Sequence, residues 1–348
     1  MSSTVNKSPK KMILMLGSGG VGKTTTAAAL GLSLVNQKGQ LQKGALFTID
    51  PSKRLCQTLG LQRLSLEASY LCDGRLEAYG LETHEALKRL LKKVIKDDAR
   101  VEKIVNHRLF QIIEGNISHL DHFIAIDKVV ELLDREDLDF IVVDTPPHDQ
   151  AFEFFESPRV LSSFLDKSFL RILLDPSSAN DGFFNRVFNK AIEEGWKLFK
   201  GLFGEGFWDE LAVLLKELLP LRERLLYSAE RLSSALKDSQ TQAILVTVPE
   251  ERPLEIAQAL AQDWNTKMNV AFSGVILNRS FADQLVFPEL LSNTLLYQRW
   301  QKQLELMKLD WLQKMPLQLR LDPVAPKQLN IQKLEEMGHD ITQKFFAH

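Results

Sequence analysis

Apolar positions in this chain fall either in short unbroken runs or at helical spacing, and the two alternate. Met12 to Leu16 is an uninterrupted apolar run ended by Gly17, which reads as a strand buried on both faces. From Thr24 to about Gln37 the chain is rich in alanine and leucine and predicts a helix. Gly44 to Ile49 repeats the buried-strand signature, as does Leu138 to Asp144, which closes on a carboxylate. Residues 84–136 are largely helical by period, with Leu87, Leu90, Leu91, Val94 and Ile95 on one face, and residues 151–240 read as almost wholly helical. The α/β rhythm then returns. Ala243 to Val248 predicts a strand, and Pro253 to Trp264 a helix with proline in its first turn. Phe272 to Leu277 predicts another strand, Met315 to Leu319 a short last one, and Ile331 to Phe345 an amphipathic helix. Strands alternating with helices predict an α/β fold, a mostly parallel sheet covered by helices on both faces. Residues 1–348 read as a single domain, with helical elaborations at about 73–136 and 151–240 inside it.

The first strand and helix are joined by Gly17-Ser18-Gly19-Gly20-Val21-Gly22-Lys23-Thr24, the spacing of a phosphate-binding loop. A triphosphate must be wrapped by backbone N–H groups, and only glycine lets the chain approach so closely. The following helix points its N-terminal end at the anion. In that pattern Lys23 reaches the β- and γ-phosphates, and the Thr24 hydroxyl ligates Mg²⁺. Asp50, after the second strand, stands where ligands bind in open α/β sheets. Phe140-Ile141-Val142-Val143-Asp144 has the apolar run and final aspartate that hold a metal through its water shell. Together these define a P-loop NTPase.

Bulk properties narrow the partners. Lys and Arg number 43 against 45 Asp and Glu, a formal net charge of −2, which gives no electrostatic case for nucleic-acid binding. No apolar run approaches the ~18–20 residues that span a bilayer. The polar stretch Met1 to Lys11 does not resemble a signal peptide. Cys56 and Cys72 are too few for a disulfide framework, so a cytoplasmic location is expected.

Gly17 to Thr25, Thr48-Ile49-Asp50-Pro51-Ser52, Asp144-Thr145-Pro146-Pro147-His148 and Leu277-Asn278-Arg279 together resemble the ArsA family of ATPases over nearly the whole chain. That family includes arsenite-pump ATPases and the factor that targets tail-anchored membrane proteins. The likeness is strongest to its single-copy bacterial branch. The resemblance implies a dimer whose two nucleotide sites face each other and which opens and closes with ATP state. Carried over by position, Gly19, Gly20, Val21, Gly22, Lys23, Thr24 and Thr25 hold phosphates and Mg²⁺. Asp50 orients the attacking water, Asp144 binds the metal shell, and Thr145 to His148 form a second switch. Asn278 reads the adenine edge, with Asp322, Pro323 and Val324 closing over the base. Mg²⁺ falls to Thr24, Asp50 and Asp144, partly through water.

Two departures from the family pattern matter. A lysine usual at the position of Ser18, which reaches the partner's phosphates, is missing; Lys53, Arg54 and Arg279 are candidate substitutes. The Cys-x-x-Cys zinc clamp and the arsenite-binding cysteine cluster are missing too. No zinc or arsenite site is therefore expected, and the pair His119 and His122 has no third ligand in view. Asn278-Arg279-Ser280-Phe281 lacks the aspartate that guanine readers carry, so ATP is expected over GTP.

Phe183, Phe184, Phe188, Trp196, Phe199, Phe203, Phe207 and Trp208 recur at spacings of three and four. They suit core packing or a dimer contact; the functional reading is a groove for an apolar client helix. The expected protein is a Mg²⁺-dependent ATPase that acts on a protein client, as a homodimer or a heterodimer with a paralogue. A spatial-organising ATPase of the ParA/MinD type, a small-molecule kinase or ligase, and a nucleotide-binding scaffold with little turnover are the alternatives. The first would need a basic surface or a basic amphipathic tail, and Glu335, Glu336 and Asp340 offset Lys333 and Lys344 in the last helix.

Overall fold

The computed structural model describes residues 10–36, 42–49, 54–81, 83–107, 110, 120–147, 150–155, 206–268, 270, 272–280, 295–324 and 329–346. They divide into two compact units. The first takes in residues 1–82, 128–155 and 231–348, the second residues 83–127 and 156–230.

In the first unit the apolar runs become the strands of one sheet. These are β1 (Lys11–Leu16), β2 (Gly44–Thr48), β3 (Ser69–Leu71), β4 (Leu76–Gly80), β5 (Phe140–Asp144), β6 (Thr241–Thr247), β7 (Phe272–Leu277) and β8 (Gln318–Arg320). Among the described residues their order is β3-β4-β2-β5-β1-β6-β7-β8. Every pairing is parallel except β3 with β4. Met12 to Leu16, Gly44 to Thr48 and Phe140 to Asp144 are all buried, which is why these strands read as continuous apolar runs rather than alternating ones. The hairpin of β3 and β4 was not expected. Its edge strand is three residues long with a half-exposed pattern, too short for a periodic signal.

Helix α1 (Lys23–Val35) lies on one face of the sheet and packs against α10 (Ile331–Phe346). Ala27, Ala28, Leu30 and Leu34 meet Leu334, Met337, Ile341 and Phe345 in one cluster with Ile13, Met15, Val142, Ile244 and Ile276 of the strands. Thr342 and Ser33, both buried between these helices, satisfy each other at 2.9 Å. The apolar stripe of α10 is thus covered by the core of its own unit. Helix α7 (Glu251–Met268) packs beside β6, with Trp264 fully buried against Phe155 and Phe272. Shorter helices α2 (Arg54–Leu59), α8 (Leu295–Leu306) and α9 (Asp310–Gln313) complete the connections.

The amino-terminal half of β4 carries a charged knot. Glu77 is 1% exposed, yet it receives both terminal guanidinium nitrogens of Arg135 (2.5 and 2.9 Å), the Tyr79 hydroxyl, and Lys43 at 3.0 Å. Burial alone would raise its carboxyl, but these donors outweigh burial and bring it down to about 2. Lys128 sits over the Tyr79 ring, 4.1 Å from the centroid.

The second unit is helical in its described parts. It holds α3 (Thr83–Ile95), α4 (Asp98–Val105), α5 (Leu120–Asp134) up to Asp127, and α6 (Gly206–Leu236) up to Glu230. Asp97 caps α4 by accepting from Arg100 N at 3.0 Å. Asp127 gathers Arg224 and the Ser228 hydroxyl, at 3.1 Å for the latter, and Arg100 pairs with Glu217. Phe183 to Phe203 fall outside the described residues, as do the side chains of Phe207 and Trp208.

Candidate nucleotide-binding site

Register brings the carboxyl ends of the central strands level with one another. Met15 of β1 and Thr48 of β2 both stand opposite Asp144 of β5, and Thr247 of β6 stands opposite Leu277 of β7. The strand order reverses at β1, which lies between β5 and β6. This is the crevice where open α/β sheets bind ligands.

The loop from Gly17 to Gly22 crosses that crevice. Gly17 (φ 154°) lies so close to the Val246 carbonyl that a β-carbon would collide with it. Gly22 (φ 99°) is the N-cap of α1 and lies against the Asn278 carboxamide, where a side chain would also collide. Gly19 and Gly20 differ: both are exposed, and a β-carbon on either would meet nothing within 4 Å. The space these two leave open is what a phosphate chain needs beside the amides of a helix start. The cap residue of α1 is Gly22, which has no side chain to bond the first amides of the helix.

Lys23 is buried, and its ammonium donates to the carbonyls of Gly17 (3.0 Å) and Ser18 (2.9 Å). The cation is thereby folded over the loop it serves. The Thr24 hydroxyl, half-buried, donates to Asp144 Oδ2 at 2.8 Å. Thr145 is tied back to β1 through its hydroxyl on the Met15 carbonyl at 2.8 Å. Hydroxyl and carboxylate oxygens form a hard donor set suited to Mg²⁺, which takes few protein ligands and completes its octahedron with phosphate and water. The residues present therefore fit both groups: Gly19 to Thr25 would hold the phosphates, and Thr24 and Asp144 the metal.

Asn278 turns out to be a structural part of the loop. Its Nδ2 donates to the Val21 carbonyl at 2.8 Å, and its Oδ1 accepts from Arg279 N at 3.0 Å. A carboxamide has two donors and two acceptor lone pairs, so one of each is left for a base edge. Arg279 is exposed and sits in the left-handed region (φ 56°). Leu321 donates to the Leu277 carbonyl and accepts from Ser280 N, both at 2.9 Å, so the chain leading into Asp322, Pro323 and Val324 is fastened around Asn278. Asp322 is exposed, and Pro323 and Val324 are half-buried.

The structure thus brings together Lys23, Thr24, Asp144, Asn278 and the loop glycines. Asp50, Lys53, His119 and His148 lie outside the described residues, as does the Arg54 side chain; Ile49, just before Asp50, donates its N–H to the Asp144 carbonyl at 3.1 Å. Sequence reasoning missed Thr48, which is 3% exposed and donates to Asp144 Oδ2 at 2.9 Å. Its place in the strand was visible, but its facing partner could be read only once β2 and β5 were known to be neighbours.

A glycine cradle on a helix start, a buried lysine, and a threonine facing a strand-terminal aspartate define a P-loop NTPase. Comparison with known proteins then narrows the class. The profile of the family described as "Anion-transporting ATPase" (ArsA ATPase) matches residues 10–315. The chain is 26% identical over 294 residues to "ATPase get3" of Aspergillus terreus, covering 83% of this chain and 77% of that one. It is 23% identical over 290 residues to "ATPase ARSA2" of Chlamydomonas reinhardtii, covering 83% and 72%. It is 28% identical over 159 residues to "Putative arsenical pump-driving ATPase 2" of Aquifex aeolicus, covering 43% and 50%. The chain belongs to the ArsA ATPase family, and it is an ATPase. No helix among the described residues is long and apolar enough to cross a membrane.

Proposed function

We propose that this chain is a Mg²⁺-dependent, dimeric ATP-hydrolysing switch of the ArsA type, coupling nucleotide state to opening, closing and action on a protein client in the cytoplasm. The observation that carries the reading is the 2.8 Å bond from Thr24 to Asp144 beside the Lys23-crossed loop, because it assembles the phosphate and metal positions in one crevice. In this reading catalysis is positioning and electrostatics. The loop amides and Lys23 hold the phosphates, Thr24 and Asp144 hold the metal that neutralises developing charge, and Asp50 orients the attacking water. Asn278 meets the adenine edge with its remaining donor and acceptor, and the segment Asp322 to Val324 covers the base. The whole chain works as one nucleotide domain with helical elaborations, as a homodimer or with a paralogue. An apolar helix is the client that the phenylalanine-rich stretch 183–208 suits.

The purified chain is expected to release phosphate from ATP with Mg²⁺ and not with EDTA, and to sediment as a dimer with a non-hydrolysable ATP analogue. Loss of both in Lys23→Ala completes the expectation. Phosphate release that ignores Mg²⁺, or that survives Lys23→Ala, overturns it. Arsenite is expected to leave turnover unchanged.

A further inference from the structure

Thr48 and Asp144 are register partners on adjacent parallel strands, 3% and 1% exposed, with Thr48 Oγ1 donating to Asp144 Oδ2 at 2.9 Å. The Thr24 hydroxyl reaches the same oxygen at 2.8 Å. A hydroxyl has one proton to give, so two hydroxyls from different elements each commit theirs to a single carboxylate oxygen. Charge-assisted bonds of this kind fix the acceptor strongly. With its proton directed at Asp144, Thr24 turns its lone pairs elsewhere, and Thr24, being half-buried, can present them to a ligand. Thr48 is too enclosed to do so, and what it can reach is Asp144.

We infer that Thr48 is a positioning residue for the metal site: its hydroxyl holds Asp144 in the orientation that aims Thr24 at the cation. This rests on the nucleotide reading above and deepens it, because it names which side chain sets the metal geometry from behind. It also links the metal-side carboxylate to the strand that runs on into Asp50.

The test uses the full chain and Mn²⁺ as the metal probe. Mn²⁺ is titrated by electron paramagnetic resonance into the protein with ADP bound, and the affinity for fluorescent ADP is measured separately in EDTA. Thr48→Val removes the hydroxyl at nearly constant shape. It is expected to raise the Mn²⁺ midpoint about tenfold, the usual size for an outer-sphere partner of a metal ligand. ADP affinity in EDTA should stay at the parent value. Thr48→Ser should return the midpoint to near that of the parent, and Thr48→Ala, a second hydroxyl-free variant, should reproduce the valine shift should valine disturb the strand. A parent-like midpoint in both hydroxyl-free variants overturns the inference. So does a serine variant as weak as valine, which would assign the effect to the methyl group. A parent chain that binds no ADP, or no Mn²⁺ with ADP, overturns the nucleotide reading itself and is recognised because the parent fails.

Discussion

The Asn278 carboxamide donates to the Val21 carbonyl at 2.8 Å, joining the end of β7 to the loop that precedes α1. It also occupies the space that a side chain on Gly22 would need. Asn278→Ala should loosen the loop and weaken ATP binding by about tenfold, the cost of roughly one buried hydrogen bond. ATP should lose more than GTP if, as proposed, the remaining donor and acceptor of Asn278 meet the adenine edge. Competition titrations with both nucleotides check this; an equal loss would leave Asn278 only its loop-holding role.

Asp50→Asn should cut turnover by about a hundredfold or more while ATP affinity holds, because an amide cannot accept the proton of water as a carboxylate does. Lys23→Ala should instead abolish binding, because the charge that crosses the loop is gone. Equilibrium binding beside single-turnover phosphate release separates the two effects. Parent-like turnover in Asp50→Asn removes Asp50 from the water position.

Ser18 is buried, and its carbonyl takes one of the two Lys23 bonds; its short side chain brings no cation to the loop. Ser18→Lys should raise kcat at least about tenfold at dimer-forming concentrations, a fraction of the roughly 10³–10⁵ that a trans cation can contribute. The rise should vanish on dilution below the dimer range. Unchanged turnover would mean that another group already supplies the charge, and Arg279 is a candidate exposed among the described residues.

Glu77 gives the fold an acid limit. Its folded value of about 2 lies below its ordinary 4.5, so the stabilisation is complete above 4.5 and is lost as pH falls from there through about 2. Urea midpoints measured across that window should decline with acidification. Glu77→Gln should flatten the decline and cost about 3 kcal/mol at neutral pH, the low end for breaking a buried pair because Arg135 stays partly in water.

The phosphate loop was legible because it is local: strand, glycines, lysine and helix follow one another along the chain. So were the central strands, whose burial on both faces writes itself as unbroken apolar runs, and β7 lies from Phe272 to Leu277 as its run predicts. Helix α10 follows its apolar periodicity from Leu334 through Met337 and Ile341 to Phe345, and Leu90 and Leu91 are buried on α3. Legibility failed where meaning depends on a distant partner. Thr48 looks like any strand-end threonine until β5 is beside it, and the second contact of Asn278, its amide on Val21, shows only when the loop lies beside β7. Glu77 sits in a strand of five buried residues, and a carboxylate there makes sense only with Arg135 across from it. The β3–β4 hairpin escaped notice because three half-exposed residues carry no pattern.

Thr24 and Asp144 are 120 positions apart, and Val21 and Asn278 are 257 apart. During synthesis, then, the glycine loop leaves the ribosome early, meets Asp144 before the chain is half made, and must wait for most of the polypeptide before Asn278 reaches it. A copy broken off before β7 carries Lys23, Thr24 and Asp144 but lacks the Asn278 clasp on the loop. ATP should therefore protect the whole chain from proteolysis better than a chain broken off before β7, whose loop is held at one side alone.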